Sequence, residues 1–234
     1  MVFTANGVSF KMILVEGGTF TMGATSEQEN PNDNEKPAHQ VTLSSYYMGE
    51  TEVTQELWSA VTGHTPWSGC RWNMGAQYPA YCISWDDVQE FITKLNVQTN
   101  RAFRMPTEAE WEFAARGGIK SKGYQYSGSN AIGGVGWYTN NSDQNVHPVK
   151  MKSSNEIGLY DMSGNVWELC SDWYGSYSSN AQTNPTGPAN GTYRIIRGGD
   201  WGLSAWYSRV AGRQYGLPST RGDLVGFRLA LSSL

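Results

Sequence analysis

Cysteine, histidine and charge are all scarce in this 234-residue chain. Its three cysteines, Cys70, Cys82 and Cys170, leave at least one thiol unpaired, and their spacing fits no zinc motif. Buried, inert thiols are the expectation, with a Cys70–Cys82 bridge the alternative at an extracellular site. Charged residues make up only 16% of the chain, the net charge is -4, and no basic run stands out, which argues against a nucleic-acid partner. No apolar run reaches the roughly 18 residues of a membrane span. The opening residues, MVFTANGVSFKMILVEGG, lack a basic segment followed by a long apolar one, so no secretory signal is read there.

What the chain has instead is glycine and tryptophan, 27 and 10 residues respectively. That pairing describes a loop-rich fold whose loops pack on aromatic rings, and it excludes disorder, which is poor in aromatics. The length suits one large domain or two small ones. Neither an internal repeat nor a linker is visible, so residues 1–234 read as a single domain of α+β class.

Regular elements can be placed by mechanism. MILV (12–15) and TFTMG (19–23) read as strands joined in a hairpin at Glu16-Gly17-Gly18. VTLSSYYMGETEV (41–53) is strand-like. A helix over 54–62 has Thr54 as N-cap, Gly63 as its stop, and Leu57, Trp58 and Val61 inward. A second begins at Ser84 with Asp87 three residues on, followed by Val88, Phe91, Ile92 and Leu95 at helical spacing. A third follows Thr107, which makes a T-x-x-E capping box with Glu110; Trp111 and Ala115 face inward and Gly117 closes it. Residues 118–193 carry many turns and little regularity, and need tryptophan packing or a metal ion to order them. RIIRGG (194–199) and GFRLAL (226–231) finish the chain as strands, the latter with Phe227, Leu229 and Leu231 on one side.

Seven ordered blocks then carry a resemblance: VEGGTFTMG, TEVTQELW, SWDDVQEF, RMPTEAEWEFAARGG, GLYDMSGNVWE, RGGDW and GFRLAL. Together they resemble the formylglycine-generating enzyme, or sulfatase-modifying factor, family over about residues 10–231. The resemblance implies a C-type-lectin-like fold with little regular structure. It also implies, for catalytic members, copper chemistry on two cysteines shortly after the RGG block, because Cu(I) prefers soft thiolates. Here that block is RGGDWGLSAWYSRVAGR, which has no cysteine; Leu203 stands near where the first would fall, and nothing after Cys170 supplies sulfur. No copper and no catalytic residue are therefore expected. Nor do His39, His64 and His147, scattered along the chain, suit an iron-binding branch built on a histidine triad.

LYDMSGNVWE (159–168) resembles the family's calcium turn. By position, Asp161 and Glu168 would give side-chain oxygens and Gly164 and Val166 backbone carbonyls to a structural Ca²⁺, a hard ion that takes oxygen donors. The tail resembles the variable proteins of diversity-generating retroelements, in which the last strands and loops form a diversified face. The matching anchors are RGGDW, Ala205, Arg209, Arg213, Pro218, Arg221 and GFRLAL. Between them, within a variable region of about 197–231, stand Gly202, Leu203, Ser204, Trp206, Tyr207, Gly212, Gln214, Tyr215, Gly216, Leu217, Thr220, Gly222, Asp223 and Leu224. Tyrosine suits a binding face because it offers large amphipathic contact with few torsions to freeze. From Ser171 onward the chain has no Lys, Glu or Met, as adenine mutagenesis of AAC codons requires, although Trp206 and Gln214 lie outside that code. The reading is a non-catalytic binder of a protein or cell-surface glycan, displayed on a cell surface or phage particle. A divergent sulfatase-modifying oxygenase is the alternative.

Overall fold

Asn6 and Gly7 open the structure with positive φ angles of 44° and 85°, the left-handed pair that a two-residue hairpin turn demands. Across that turn β1 (Val2–Ala5) pairs antiparallel with β2 (Val8–Val15). The computed structural model describes residues 1–70 and 72–233. Its architecture is α+β, with three α-helices and short strands in three sheets.

β2 and β3 (Gly18–Met22) do not form the expected hairpin. β2 joins a five-stranded sheet ordered β1-β2-β5-β12-β6, where β5 is Tyr46–Gly49, β6 Phe103–Arg104 and β12 Ala230–Ser232. β3 belongs to a separate sheet, β3-β4-β8, with β4 His39–Leu43 and β8 Gln182–Thr183. The chain changes sheets at Gly17, where a Cβ would stand 2.5 Å from the Leu43 carbonyl oxygen. The glycine serves a close backbone crossing rather than a hairpin turn. The 41–53 strand likewise splits between β4 and β5.

The helices follow their caps. Thr54 accepts the Leu57 N–H at the start of α1 (Gln55–Thr62), and Gly63 closes it at φ 76°. Reciprocal capping boxes, Ser84 with Asp87 and Thr107 with Glu110, start α2 (Trp85–Thr99) and α3 (Glu108–Ala115). α1 and α2 bury the apolar residues expected of them. Trp58 stacks on Phe91 at 5.0 Å, and Phe227 meets both rings edge-on. Fully burying such a side chain stabilises by about 1.5–3 kcal/mol.

The final sheet is β10-β9-β7-β11: Arg213–Gly216, Arg194–Arg197, Trp167–Trp173 and Val225–Gly226. GFRLAL is not a single half-buried strand. It is shared between β11 and β12, and Arg228 and Ala230 are as buried as Phe227 and Leu229. Ring packing orders much of 118–193: Trp137 stacks on His147 at 3.7 Å, and the Lys152 ammonium caps the Trp137 ring at 3.8 Å. No helix is long and apolar enough to cross a membrane among the described residues.

Candidate ligand-binding face

α3 positions the C-terminal region. Its acidic residues Glu108, Glu110 and Glu112 are all buried. Each meets arginine from elsewhere in the chain. Glu110 is bidentate with Arg104, Glu108 is bidentate with Arg213, and Glu112 holds Arg116 and Arg197. Burial pushes the Glu108 carboxyl up, but Arg213 and Arg197 outweigh it and hold the group below the usual range. Arg209 closes a further pair with Glu35, and Arg228 one with Glu168, all four side chains being fully buried. Guanidinium matches carboxylate geometry through parallel N–H donors and stays charged when buried. Arg197, Arg209 and Arg213 thus rivet the tail to acids of the N-terminal half. Breaking one such pair costs about 3–5 kcal/mol, because a charge is left buried and alone.

The residues between these anchors mostly reach solvent. Gly202, Ser204, Tyr215, Leu217, Thr220 and Asp223 are exposed; Leu203, Trp206, Tyr207, Gln214, Gly216, Gly222 and Leu224 are half-buried. Gly212 departs from the expectation. It is buried, and a Cβ there would lie 3.0 Å from the Tyr207 carbonyl oxygen, so it belongs to the scaffold. Trp206 is partly scaffold too: its Nε1–H donates to the Asn30 carbonyl at 2.9 Å, and Arg209 lies against its ring.

The aromatics of the tail form two groups rather than one. Tyr207 meets Trp206 and Trp167 edge-on. Tyr215 leans on Tyr174 at 4.3 Å and Tyr193 at 4.9 Å. On β10, Gln214 pairs across from Ile196 and Tyr215 from Ile195, so the neighbours point to opposite sides of the sheet. Trp167, Tyr174 and Tyr193 were not among the expected face residues, and Tyr193 is 39% exposed. Trp167 is itself buried, and the aromatic type of Tyr174 and Tyr193 does not by itself mark them as surface groups.

The loop 217–224 docks on the start of α2. The Pro218 carbonyl accepts the Trp85 N–H at 3.0 Å, and the Gly222 carbonyl accepts the Cys82 N–H at 3.2 Å. Arg221 forms a bidentate pair with Asp87. Burial raises the Asp87 pKa, but hydrogen bonds from Arg221 and Ser84 prevail and bring it down to about 2.

The expected calcium turn does not fit an ion at Glu168. That carboxylate accepts two hydrogen bonds from Arg228 and one from the Trp111 Nε1–H at 2.7 Å. Arg228 also donates to the Gly49 and Tyr160 carbonyls. A guanidinium therefore gathers carboxylate and carbonyl oxygens, the donor chemistry calcium would need. Gly164 holds its turn for a steric reason, since a Cβ at its φ of 87° would meet the Trp137 carbonyl oxygen at 2.0 Å. Asp161 stands differently. One oxygen accepts the Lys150 N–H and the other is buried without a partner, while burial lifts its pKa to about 6.

Sulfur does reach the face, from outside the tail. Cys70 and Cys82 are bonded to each other, and the Cys82 Sγ lies 3.7 Å from Asp223 Oδ1. The expectation of three inert thiols holds only for Cys170, which is free and buried. Its thiol is pushed well up by burial, with Asp172 and Glu108 adding to the effect. The histidines stay apart: His39 packs on Tyr177, His147 on Trp137, and His64 is exposed.

Known proteins share this fold. A structure of Treponema denticola variable protein 1 superposes with a TM-score of 0.88 at 31% identity, covering 100% of this chain and 99% of that one. PvdO from Pseudomonas aeruginosa gives 0.78 at 26% identity, covering 100% and 98%. By sequence, the formylglycine-generating enzyme of Streptomyces coelicolor is 30% identical over 93% of this chain and 88% of its own length. The chaperone protein LppX of Paenibacillus barcinonensis is 33% identical over 83% and 79%. The family model for the sulfatase-modifying factor enzyme 1-like domain matches residues 4–233. With buried arginine anchors, capped helices and the ordered motif blocks all in place, the chain belongs to the sulfatase-modifying factor enzyme 1-like domain family.

Proposed function

We propose that this chain is a non-catalytic ligand-binding protein, of the kind diversified by a retroelement, whose C-terminal face grips a protein or cell-surface glycan. One observation carries the reading: in 197–228 the arginines at 197, 209, 213 and 228 are buried on acids, while every expected face position but Gly212 is exposed or half-buried. A framework held from below tolerates exchange above it, since surface substitutions away from the core change stability by no more than about 0.5 kcal/mol. The likeness to Treponema denticola variable protein 1 over the whole chain supports it. The binding residues are those of the expected set without Gly212, extended by Tyr174 and Tyr193.

The test is the neighbouring DNA and a binding screen. A near-copy of the 3′ coding end beside a reverse transcriptase gene, differing mainly at adenines, supports diversification. Its absence, with no binding to a panel of cell-surface proteins and glycans, removes the reading. A divergent sulfatase-modifying oxygenase is the second reading, favoured by the 30% identity to the Streptomyces coelicolor enzyme and by a cysteine pair beside the face. Repeated copper-dependent conversion of a Cys-x-Pro-x-Arg peptide to its aldehyde would establish it in place of the first.

A further inference from the structure

The tail carries no sulfur, yet the fold delivers two sulfurs and a carboxylate to one point at its edge. Cys70 lies just after a short 3₁₀ turn (Pro66–Gly69), Cys82 three residues before α2, and Asp223 in the docked loop. One ligand atom from each lies within 4.8 Å of the others, and this is the one such grouping of three Cys, His, Asp or Glu side chains among the described residues. Cys82 is buried, Cys70 half-buried and Asp223 exposed, so the cluster opens to solvent on the carboxylate side. Cys70 and Cys82 stand 12 positions apart and Asp223 lies far along the chain; hydrogen bonds independent of sulfur hold the Cys82 segment to the Asp223 loop, Cys82 N–H to Gly222 and Arg221 to Asp87. Cys82 itself has a φ of 58°. A left-handed, non-glycine residue costs on the order of 1–3 kcal/mol and persists where its surroundings impose it.

We propose that Cys70, Cys82 and Asp223 form a redox-gated metal site: closed as a disulfide, and open to a thiophilic divalent ion once reduced. Opening is a two-electron step. A dithiol reductant attacks the Cys70–Cys82 bond, ends as its own disulfide, and leaves a proton on each cysteine sulfur. The arriving ion displaces both protons and takes two thiolates and the Asp223 carboxylate, with water in the fourth position of a tetrahedron. Two soft donors and one hard donor suit Zn²⁺ and disfavour Ca²⁺ and Mg²⁺. The site owes nothing to the ligand-face reading and stands or falls separately from it. Binding there would pin the loop 217–224 to the α2 start by a bond that the oxidised form lacks.

The test compares the full chain oxidised and after phosphine reduction, the reductant being removed under argon, with Zn²⁺ as the calorimetric probe and Co²⁺ as the spectroscopic one. Near-UV circular dichroism verifies that both forms are folded. The reduced protein should bind one Zn²⁺ and, with Co²⁺, show a thiolate charge-transfer band; the oxidised protein should do neither. Cys82→Ser should abolish the band. Asp223→Asn should keep the fold and weaken Zn²⁺ by at least about tenfold, since even outer contacts to a metal ligand cost 10–100-fold. The proposal is overturned if the reduced, folded protein binds no Zn²⁺, if the oxidised protein binds it equally, or if Asp223→Asn leaves the affinity unchanged.

Discussion

Arg209 donates both terminal guanidinium nitrogens to the carboxylate of Glu35, at 2.8 and 2.6 Å, across 174 positions of sequence and out of contact with solvent. The pair joins a 3₁₀ turn near the N-terminus (Asp33–Glu35) to the centre of the candidate face. Arg209→Ala should therefore destabilise the fold by about 3–5 kcal/mol, read as a lowered urea midpoint. Thr220→Ala, in the exposed loop, should stay within about 0.5 kcal/mol. Equal losses for the two would refute the division between anchor and outward positions.

Calcium should leave stability untouched at the 159–168 turn. An ion held at a hundred times its Kd would add about 2.7 kcal/mol, a clear rise in Tm. Because Arg228 already fills the Glu168 carboxylate, Tm in millimolar Ca²⁺ should match that in chelator. A chelator-sensitive Tm would restore the calcium turn that the sequence suggests.

Asp172 should make the native state more stable toward acid. Burial, reinforced by Glu108, lifts its pKa from the model-peptide value of 3.8 to about 7. Below the unfolded pKa both states hold the proton. Above it the unfolded chain loses its proton first, so the contribution fades as pH rises through the folded value. Asp172→Asn keeps an acceptor for the Glu108 N–H and removes that loss. Its stability relative to the parent should improve by on the order of a few kcal/mol between pH 4 and pH 8. A pH-independent difference, measured by urea unfolding, would contradict the assignment.

Cys170 should be silent in the folded protein. It is fully buried and its thiol is pushed well above the ordinary range, so little thiolate forms and no reagent reaches it. Titration with an aromatic disulfide reagent should find no reactive thiol in the native oxidised protein and one after unfolding. A second thiol on unfolding without reductant would show that Cys70 and Cys82 are not bonded.

Local signals were readable and long-range partners were not. Thr54, Ser84 and Thr107 cap the helices expected of them, because a cap is decided within four residues of chain. The Glu16-Gly17-Gly18 hairpin failed because glycine tolerates a close crossing as readily as a turn, and only the position of residues 43–45 tells the two apart. The burial of Glu108 and Glu112 was not legible, since two of their arginines lie more than eighty positions away.

The order of motif blocks, the caps and the supply of tryptophan therefore settled the family and the helices without coordinates, since each rests on neighbouring residues and the period of the backbone. Three-dimensional packing alone decided which acid each arginine would find, which glycine had no room for a side chain, and that sulfur from residues 70 and 82 would arrive beside Asp223. Burial of charge and close approach of backbones are properties of distance in space, and distance along the chain does not encode them.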